Sequence, residues 1–315
     1  MGTNILVSTE NLSNEEWLRW RQKGIGGSDV APILGISKWT SSIDIWLSKT
    51  NQKCDNCVQN EAMEWGHILE PVIRDHFKKV TGKKVIEVHA ILQNTQHPFM
   101  IADIDGLTED DTGNPAILEC KCVSEYLRSQ WETDIPVYYR TQVEHYLTVT
   151  GLSTAYVAAL IGGNSFVIRE VHADKEMQEM LIAVEKDFWR KVINMERPEP
   201  DGSDACKNLL DSIYKGGINE QIIHPDEAIE YLDMYIEATA DMDSAKAKQQ
   251  EASNHLKEIM GDYNTAQCMG HTISWKPVTT ERLDSKALKE AEPDLYSKYV
   301  KTSTSRRFFN RSVCI

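Results

Sequence analysis

The chain has 315 residues, 41% of them hydrophobic and 26% charged, with a formal net charge of −14. Those proportions are those of a water-soluble globular protein with one large domain or two ordinary ones. No apolar run approaches the roughly 20 residues of a membrane span, and the opening MGTNILVSTENLSNEEW has neither the basic n-region nor the apolar core of a secretory signal, so a cytoplasmic protein is expected.

Ser13 followed by Glu16 forms a capping box, which predicts a first helix carrying Trp17, Leu18 and Trp20. GIGGSD, residues 24–29, breaks that helix and starts another through VAPILG. Cys54 and Cys57 then form a lone CxxC, which supplies half of a tetrahedral metal site. Cys206, Cys268 and Cys314 are scattered singly, so the cysteines read as reduced thiols rather than a disulfide framework. Residues 61–80 put Met63, Ile68, Val72, Ile73, Phe77 and Val80 at helical spacing, with weak points at Gly66 and Pro71.

Three strands are expected next, over 84–92, 100–107 and 116–123, the last two joined through the polar turn EDDTGNP. A helix over 137–149 follows, then strands over 155–160 and 166–171 split by IGGNS. Asp174 caps a helix running to about residue 195, and RPEPDG ends a first domain, 1–202. The remainder, 203–315, reads as an extension. One long amphipathic helix from HPDEAIEY to HLKEIM carries Leu232, Tyr235, Met242, Leu256 and Ile259 on one stripe. Two or three strands around a small helix at Ser285–Ala291 complete it.

The negative total argues against nucleic acid only if it is evenly spread. It is not. Residues 1–100 hold eleven acidic and eleven basic residues, whereas 101–150 hold ten acidic and three basic. Lys78, Lys79, Lys83 and Lys84 form one local basic stretch, and RRFFNR (306–311) interleaves arginine with aromatics as a DNA-contacting segment would. A solvated helix end accounts for the first equally well, and core phenylalanines flanked by surface arginines account for the second nearly as well.

The acidic middle carries the chemistry. In MIADIDGLTEDDTGNPAILECKCV (100–123), alternation along a strand sends Glu119 and Lys121 to one face, and a hairpin partner ending at Asp105 brings its carboxylate alongside. Asp103 lies on the same face as Asp105 and competes for its role. Ala116, Ile117, Leu118 and Val123 place these charges in a strand that belongs indoors, where a charge needs a partner or a ligand. Two carboxylates suit a hard divalent cation such as Mg²⁺. Such an ion polarises a phosphoryl oxygen and acidifies a water, while the lysine neutralises charge in the transition state.

In this order the blocks WLRWRQKGIGGSDVAPILG, EWGHILEPVIRDHF, IADIDGL with ILECKC, and IPVYYRTQVEHYLTVTG resemble the PD-(D/E)XK nuclease superfamily. More narrowly, they resemble the YqaJ-type viral recombinase family that includes the phage lambda exonuclease, over about Trp17 to Gly202. The resemblance implies an α/β, restriction-endonuclease-like core, a mixed central sheet flanked by helices, with the long helix and small β-rich region as its C-terminal extension. It implies Asp105 and Glu119 as metal ligands, Lys121 as the catalytic lysine, Glu70 as a further metal-binding carboxylate and Gln142 as an ordering residue. Asp105 is preferred over Asp103 because its following glycine fits the family block.

Arg21 and Ser28 correspond to residues holding the 5′-phosphate of a DNA end, and an arginine fork suits that ligand. The implied activity is 5′-to-3′ digestion of linear double-stranded DNA with Mg²⁺, or Mn²⁺ in its place, leaving 3′ overhangs for a single-strand annealing recombinase. A ring trimer is implied by kinship. The alternatives are a non-catalytic DNA-binding or assembly protein, an endonuclease on the same fold, and an iron–sulfur nuclease, for which the cysteine spacing is a poor match. His145, one turn after Gln142, and His67, beside Gly66, are weaker candidates for the site.

Overall fold

One helix, α5 (Val137–Thr150), is buried along most of its length and packs against strands of two separate sheets. This computed structural model describes residues 2–52, 61–214, 225–302 and 308; Cys54, Cys57, Cys314 and all of RRFFNR but Phe308 lie outside them. The first sheet is antiparallel, in the order β1 (Thr3–Ser8), β2 (Ala90–Asn94), β3 (Ile101–Ala102). The second runs β4 (Gly106–Glu109), β5 (Pro115–Val123), β6 (Thr154–Ile161), β7 (Ser165–His172). β5 and β6 are parallel and the other pairs antiparallel, so this sheet is mixed. A parallel pair needs a crossover. A 3₁₀ turn at Glu125–Trp131 and α5 supply it. The fold is therefore the mixed α/β arrangement expected.

α5 ends at Gly151, whose φ of 72° is a left-handed cap that glycine adopts without steric cost. Val143, Leu147 and Val149 on α5 meet Met100, Ala102 and Ile104 and the inner residues of β5 and β6, including Ile117, Val157 and Ala159, in one core cluster. The helix also buries five polar residues, each of which needs a partner. Glu144 accepts from Arg140, from the Asp174 backbone N–H and from Gln178, while Thr148 returns its hydroxyl to the Glu144 carbonyl.

Around this frame stand α1 (Asn14–Arg21), α2 (Gly27–Ile33), α3 (Ser42–Lys49), α4 (Glu61–Thr81) and α6 (Lys175–Ile193). The capping box at Ser13 and Glu16 and the Asp174 cap of α6 form as expected. α4 runs unbroken through Gly66 and Pro71. It buries Ile73 and Phe77 against the second sheet, but Met63, Ile68, Val72 and Val80 are exposed.

Two strands expected from the sequence differ. The segment 100–107 is not one strand: β3 belongs to the first sheet and β4 to the second, with Asp103–Asp105 crossing between them. Residues 84–92 contribute only an isolated bridge, Ile86 to Leu107, before β2 begins at Ala90.

The chain divides into two compact units, Met1–Tyr214 and Lys215–Ile315. The boundary expected at 202 falls before α7 (Asp204–Ile213), which packs on α3 and buries Ala205 and Cys206. The second unit contains α8 (Pro225–Met260), a hairpin of β8 (Thr265–Cys268) and β9 (His271–Ser274), and the short helices α9 (Ser285–Ala291) and α10 (Pro293–Tyr299). Leu232, Tyr235, Met242, Leu256 and Ile259 of the expected stripe are exposed. Among the described residues no helix is long and apolar enough to cross a membrane.

Candidate active site

β5 is buried from Ala116 through Glu119, so the Glu119 carboxylate enters a region built for apolar side chains. Lys121, two residues on and on the same face, donates to Glu119 Oε1 at 2.6 Å and to Gln142 Oε1 at 3.0 Å. Gln142 on α5 closes the triangle, donating from Nε2 to the same Glu119 Oε1 at 2.8 Å. The other oxygen, Glu119 Oε2, is buried with no hydrogen-bond partner. An unpartnered buried carboxylate oxygen is costly unless something with positive charge reaches it.

Asp105 stands where the β4–β5 ladder ends. Gly106 pairs with Leu118, and beyond that pair the Asp105 carboxylate replaces a backbone acceptor, taking the Cys120 N–H at 2.7 Å. Arg74 on α4, nearly buried, ties this corner to the helix. It donates to the Asp105 carbonyl at 2.7 Å and to Glu70 Oε1 at 3.2 Å, and pairs with Glu87 at 3.2 Å. Asp103 accepts from Trp17 Nε1 at 2.7 Å.

The electrostatics follow from burial and crowding. Burial first, then the neighbouring Asp105 charge, pushes Glu119 up to about 8 despite Lys121. Burial and Asp105 likewise raise Glu70 to about 7, against the pull of Arg74. Asp105 itself is raised by burial, opposed by Lys121 and the Cys120 N–H. Burial disfavours the Lys121 charge, but Glu119 and Asp105 outweigh it and hold the ammonium protonated. Burial drives the Cys120 thiol far above its ordinary range, so it is an inert packing group.

Beside the carboxylates lies a second cluster. Arg21 Nη2 donates to Ser28 Oγ at 2.7 Å, with its guanidinium carbon 5.0 Å above the centre of the Trp17 ring. Asp29 accepts the Gly26 N–H at 2.9 Å and pairs with buried Lys49 at 2.7 Å. Glycine is required by contact at Gly27, where a Cβ would stand 2.5 Å from Tyr146 Cε1; a Cβ on Gly26 would meet only the movable end of Arg21, 2.8 Å from Nη2.

One cavity of about 650 Å³ gathers Arg21, Ser28, Glu70, Asp105, Glu119, Lys121 and Gln142, drawn from five elements and the turn before β4. All the expected site residues meet there. His67 also lines it, whereas His145 does not: it is fully buried between Glu185 and the Ile101 carbonyl. Of the basic stretch, Lys78 is paired with Asp75 and Lys83 with Asp111. Arg74 and Tyr146 are site residues that the sequence pattern did not single out. Each sits one helical turn after an expected site residue, Glu70 and Gln142, and that spacing was the available signal.

Among the described residues, no group of three or more His, Cys, Asp or Glu side chains is gathered as a ready-made metal cage. The donor set nevertheless fits a hard cation. It is all oxygen, it holds carboxylates raised by burial and by mutual repulsion, and it leaves Glu119 Oε2 open. Mg²⁺ commonly takes only one or two protein carboxylates and fills the rest of its octahedron with water and phosphate.

A profile described as the YqaJ-like viral recombinase domain matches residues 16–153. An uncharacterized Bacillus subtilis protein, YqaJ, is 37% identical over 309 residues, 96% of each chain. Among solved structures, an alkaline exonuclease from Laribacter hongkongensis is 20% identical with a TM-score of 0.49, over 64% of this chain and 99% of that one. A phage-related exonuclease from Haemophilus somnus is 9% identical with a TM-score of 0.38, over 55% and 96%.

Proposed function

The chain belongs to the YqaJ-like viral recombinase family, and on that premise we propose that it is a nuclease, specifically a Mg²⁺-dependent exodeoxyribonuclease of linear duplex DNA. The observation that carries this reading is the single cavity in which Glu119, Lys121 and Gln142 bond to one another beside Asp105, Glu70 and the Arg21–Ser28 pair.

Asp105, Glu119 and Glu70 are the residues that would hold Mg²⁺, or Mn²⁺ in its place. A divalent cation bound there would polarise a phosphoryl oxygen and make a nearby water more acidic. Lys121, kept charged by its acidic neighbours, neutralises the negative charge that builds on the phosphoryl group and hydrogen-bonds the attacking water. Gln142 fixes the Glu119 carboxylate and the Lys121 ammonium relative to each other. Arg21 and Ser28 receive the terminal 5′-phosphate, which sets the direction of digestion as 5′ to 3′ and leaves a 3′ single strand. A single-strand annealing recombinase would use that product. A ring trimer of this chain around the duplex would keep successive cuts on one molecule.

Linear and closed circular duplexes, labelled at either 5′ or 3′ end, separate the readings when incubated with Mg²⁺ or EDTA. Loss of linear DNA alone, beginning at 5′ ends and abolished by EDTA, is expected. Nicking of the circle would replace this with an endonuclease, and binding without cleavage with a DNA-binding assembly protein.

Arg21→Ala tests the end-binding assignment. A charge-assisted hydrogen bond contributes about 1.5–3 kcal/mol, so KM for 5′-phosphorylated ends should rise roughly 10- to 100-fold. KM for 5′-hydroxyl ends should barely change. Equal losses on both ends would remove Arg21 from phosphate recognition.

A further inference from the structure

We propose that Tyr146 is a positioning residue that registers the N-terminus of α2, Gly26–Ser28, against the Glu119–Lys121–Gln142 cluster, an inference that rests on the nuclease reading. Tyr146 is 6% exposed and follows Gln142 by one turn of α5, so the two side chains stack along the helix. Its hydroxyl oxygen accepts from Gln142 Nε2 at 2.9 Å.

The amide of Gln142 is then fully specified. One hydrogen of Nε2 goes to Glu119 and the other to Tyr146, which leaves Oε1 turned to the Lys121 ammonium. Flipping the amide would set its oxygen against the Glu119 carboxylate and its hydrogens against the ammonium. Glu119 and Lys121 therefore choose the orientation, and the tyrosine hydroxyl supplies a third, lateral point that stops the amide from swinging between them. Three contacts locate a planar group; two leave it a hinge.

The ring of Tyr146 meets the start of α2 as well. Gly27 lies so close that a Cβ would fall 2.5 Å from Cε1 and 2.8 Å from Cζ, with Gln142 Cγ at 3.0 Å. The first turn of α2, which presents Ser28, thus rests on the ring whose hydroxyl holds Gln142. A displacement of that turn would be passed to Gln142 through one rigid side chain. In this way an end seated on Arg21 and Ser28 and a phosphodiester beside Glu119 share a common reference.

Tyr146→Phe keeps the ring against Gly27 and deletes only the hydroxyl. The expected result is a fall in kcat of about tenfold, with KM for 5′-phosphorylated duplex within about twofold of the parent, as loss of an interaction that acts on the chemical step predicts. In a Gln142→Ala background the same substitution should cause no further loss, because its effect runs through the amide. A merely structural tyrosine would not give that split or that non-additivity. The Gln142 side-chain amide resonances, assigned by their disappearance in Gln142→Ala, should shift and exchange faster with solvent in Tyr146→Phe.

An unchanged kcat, losses that multiply in the double variant, or amide resonances that stay put would each overturn the proposal. A parent protein that digests no DNA would overturn the nuclease reading instead, and the amide resonances would still decide whether Tyr146 holds Gln142.

Discussion

Glu119→Ala is expected to lower Mg²⁺-dependent digestion of linear duplex DNA by a factor of about 10³ or more, the largest effect of any single substitution in this chain, since deleting one preorganised transition-state group alone costs about 10²–10³. Three roles disappear at once. Oε1 is the acceptor on which Lys121 and Gln142 both converge, at 2.6 and 2.8 Å. Oε2 is the open, buried oxygen best suited to a cation. Without the carboxylate, Lys121 loses its nearest counter-charge and the ammonium is free to turn toward Asp105.

The fold should tolerate the change. Burial and the Asp105 charge already oppose ionisation of Glu119, so its removal relieves repulsion as well as deleting contacts. A thermal melt without metal should therefore fall by less than the full cost of breaking a buried pair, because Asp105 remains to face Lys121. The melting shift produced by Mg²⁺ should vanish, because a ligand stabilises only a protein that binds it, by RT ln(1 + [L]/Kd). Affinity for 5′-phosphorylated ends, measured by fluorescence anisotropy in EDTA, should persist, since Arg21 and Ser28 are untouched. Digestion within about tenfold of the parent would remove Glu119 from the chemistry, a loss smaller than that of even one such donor.

What the sequence revealed depended on how local each cause was. β5, α5 and the Asp174 cap of α6 are written in contiguous residues: an apolar run, a helical period, an acid before a helix. Glu119 and Lys121 were legible because a charge pair inside such a run is too costly to sit there idle. The crossing at Asp103–Asp105 was not. Both halves of MIADIDGL alternate as strand does, and nothing in the alternation says that Ile101 and Leu107 pair in different sheets. β1 was missed because TNILVS lies on the sheet edge with no residue fully buried, so its pattern has little contrast. α3 was missed although Ser41 and Asp44 form a capping box of the same kind as Ser13 and Glu16.

The site divides the same way. Glu70, Asp105, Glu119, Lys121 and Gln142 were nameable from residue type, order and family resemblance. The bonds that make them one device, Arg74 to the Asp105 carbonyl or Tyr146 to Gln142, depend on elements meeting in space. The net charge of −14 says little about the site itself. Arg21, Lys49, Arg74 and Lys121 all stand within or beside the cavity, where local cations matter more for phosphate than the total does.

The second large effect is on stability and comes from a pair that the chemistry does not use. His145 on α5 and Glu185 on α6 are fully buried, with Nδ1 2.9 Å from Glu185 Oε1 and Nε2 2.8 Å from the Ile101 carbonyl. Both ring nitrogens face oxygens, and with Glu185 ionised both carry a proton, making the ring an imidazolium that ties α5 to α6 and β3. Burial disfavours that charge, but the Glu185 carboxylate and the carbonyl prevail and raise the His145 pKa above 6.5. Burial raises Glu185 above 4.5 as well, with His145 opposing. Asp29 and His97 add weaker charges of opposite sign on Glu185.

Removing one partner of a buried pair costs about 3–5 kcal/mol, and Glu185→Ala should lose that much at pH 6. His145 holds its proton more tightly folded than unfolded, so its contribution is complete below pH 6.5 and is lost as pH rises through the folded His145 value. The gap in unfolding free energy between the parent and Glu185→Ala should therefore be widest at pH 6 and narrow steadily toward pH 9. Urea unfolding followed by tryptophan fluorescence reads the right unit, because seven of the eight tryptophans precede Tyr214. Glu185→Gln, which keeps an acceptor for a neutral ring, should recover part of the loss at pH 9 and little of it at pH 6. A gap that stays constant with pH, or widens toward pH 9, would mean that the ring is neutral and that Glu185 supports α5 through packing alone.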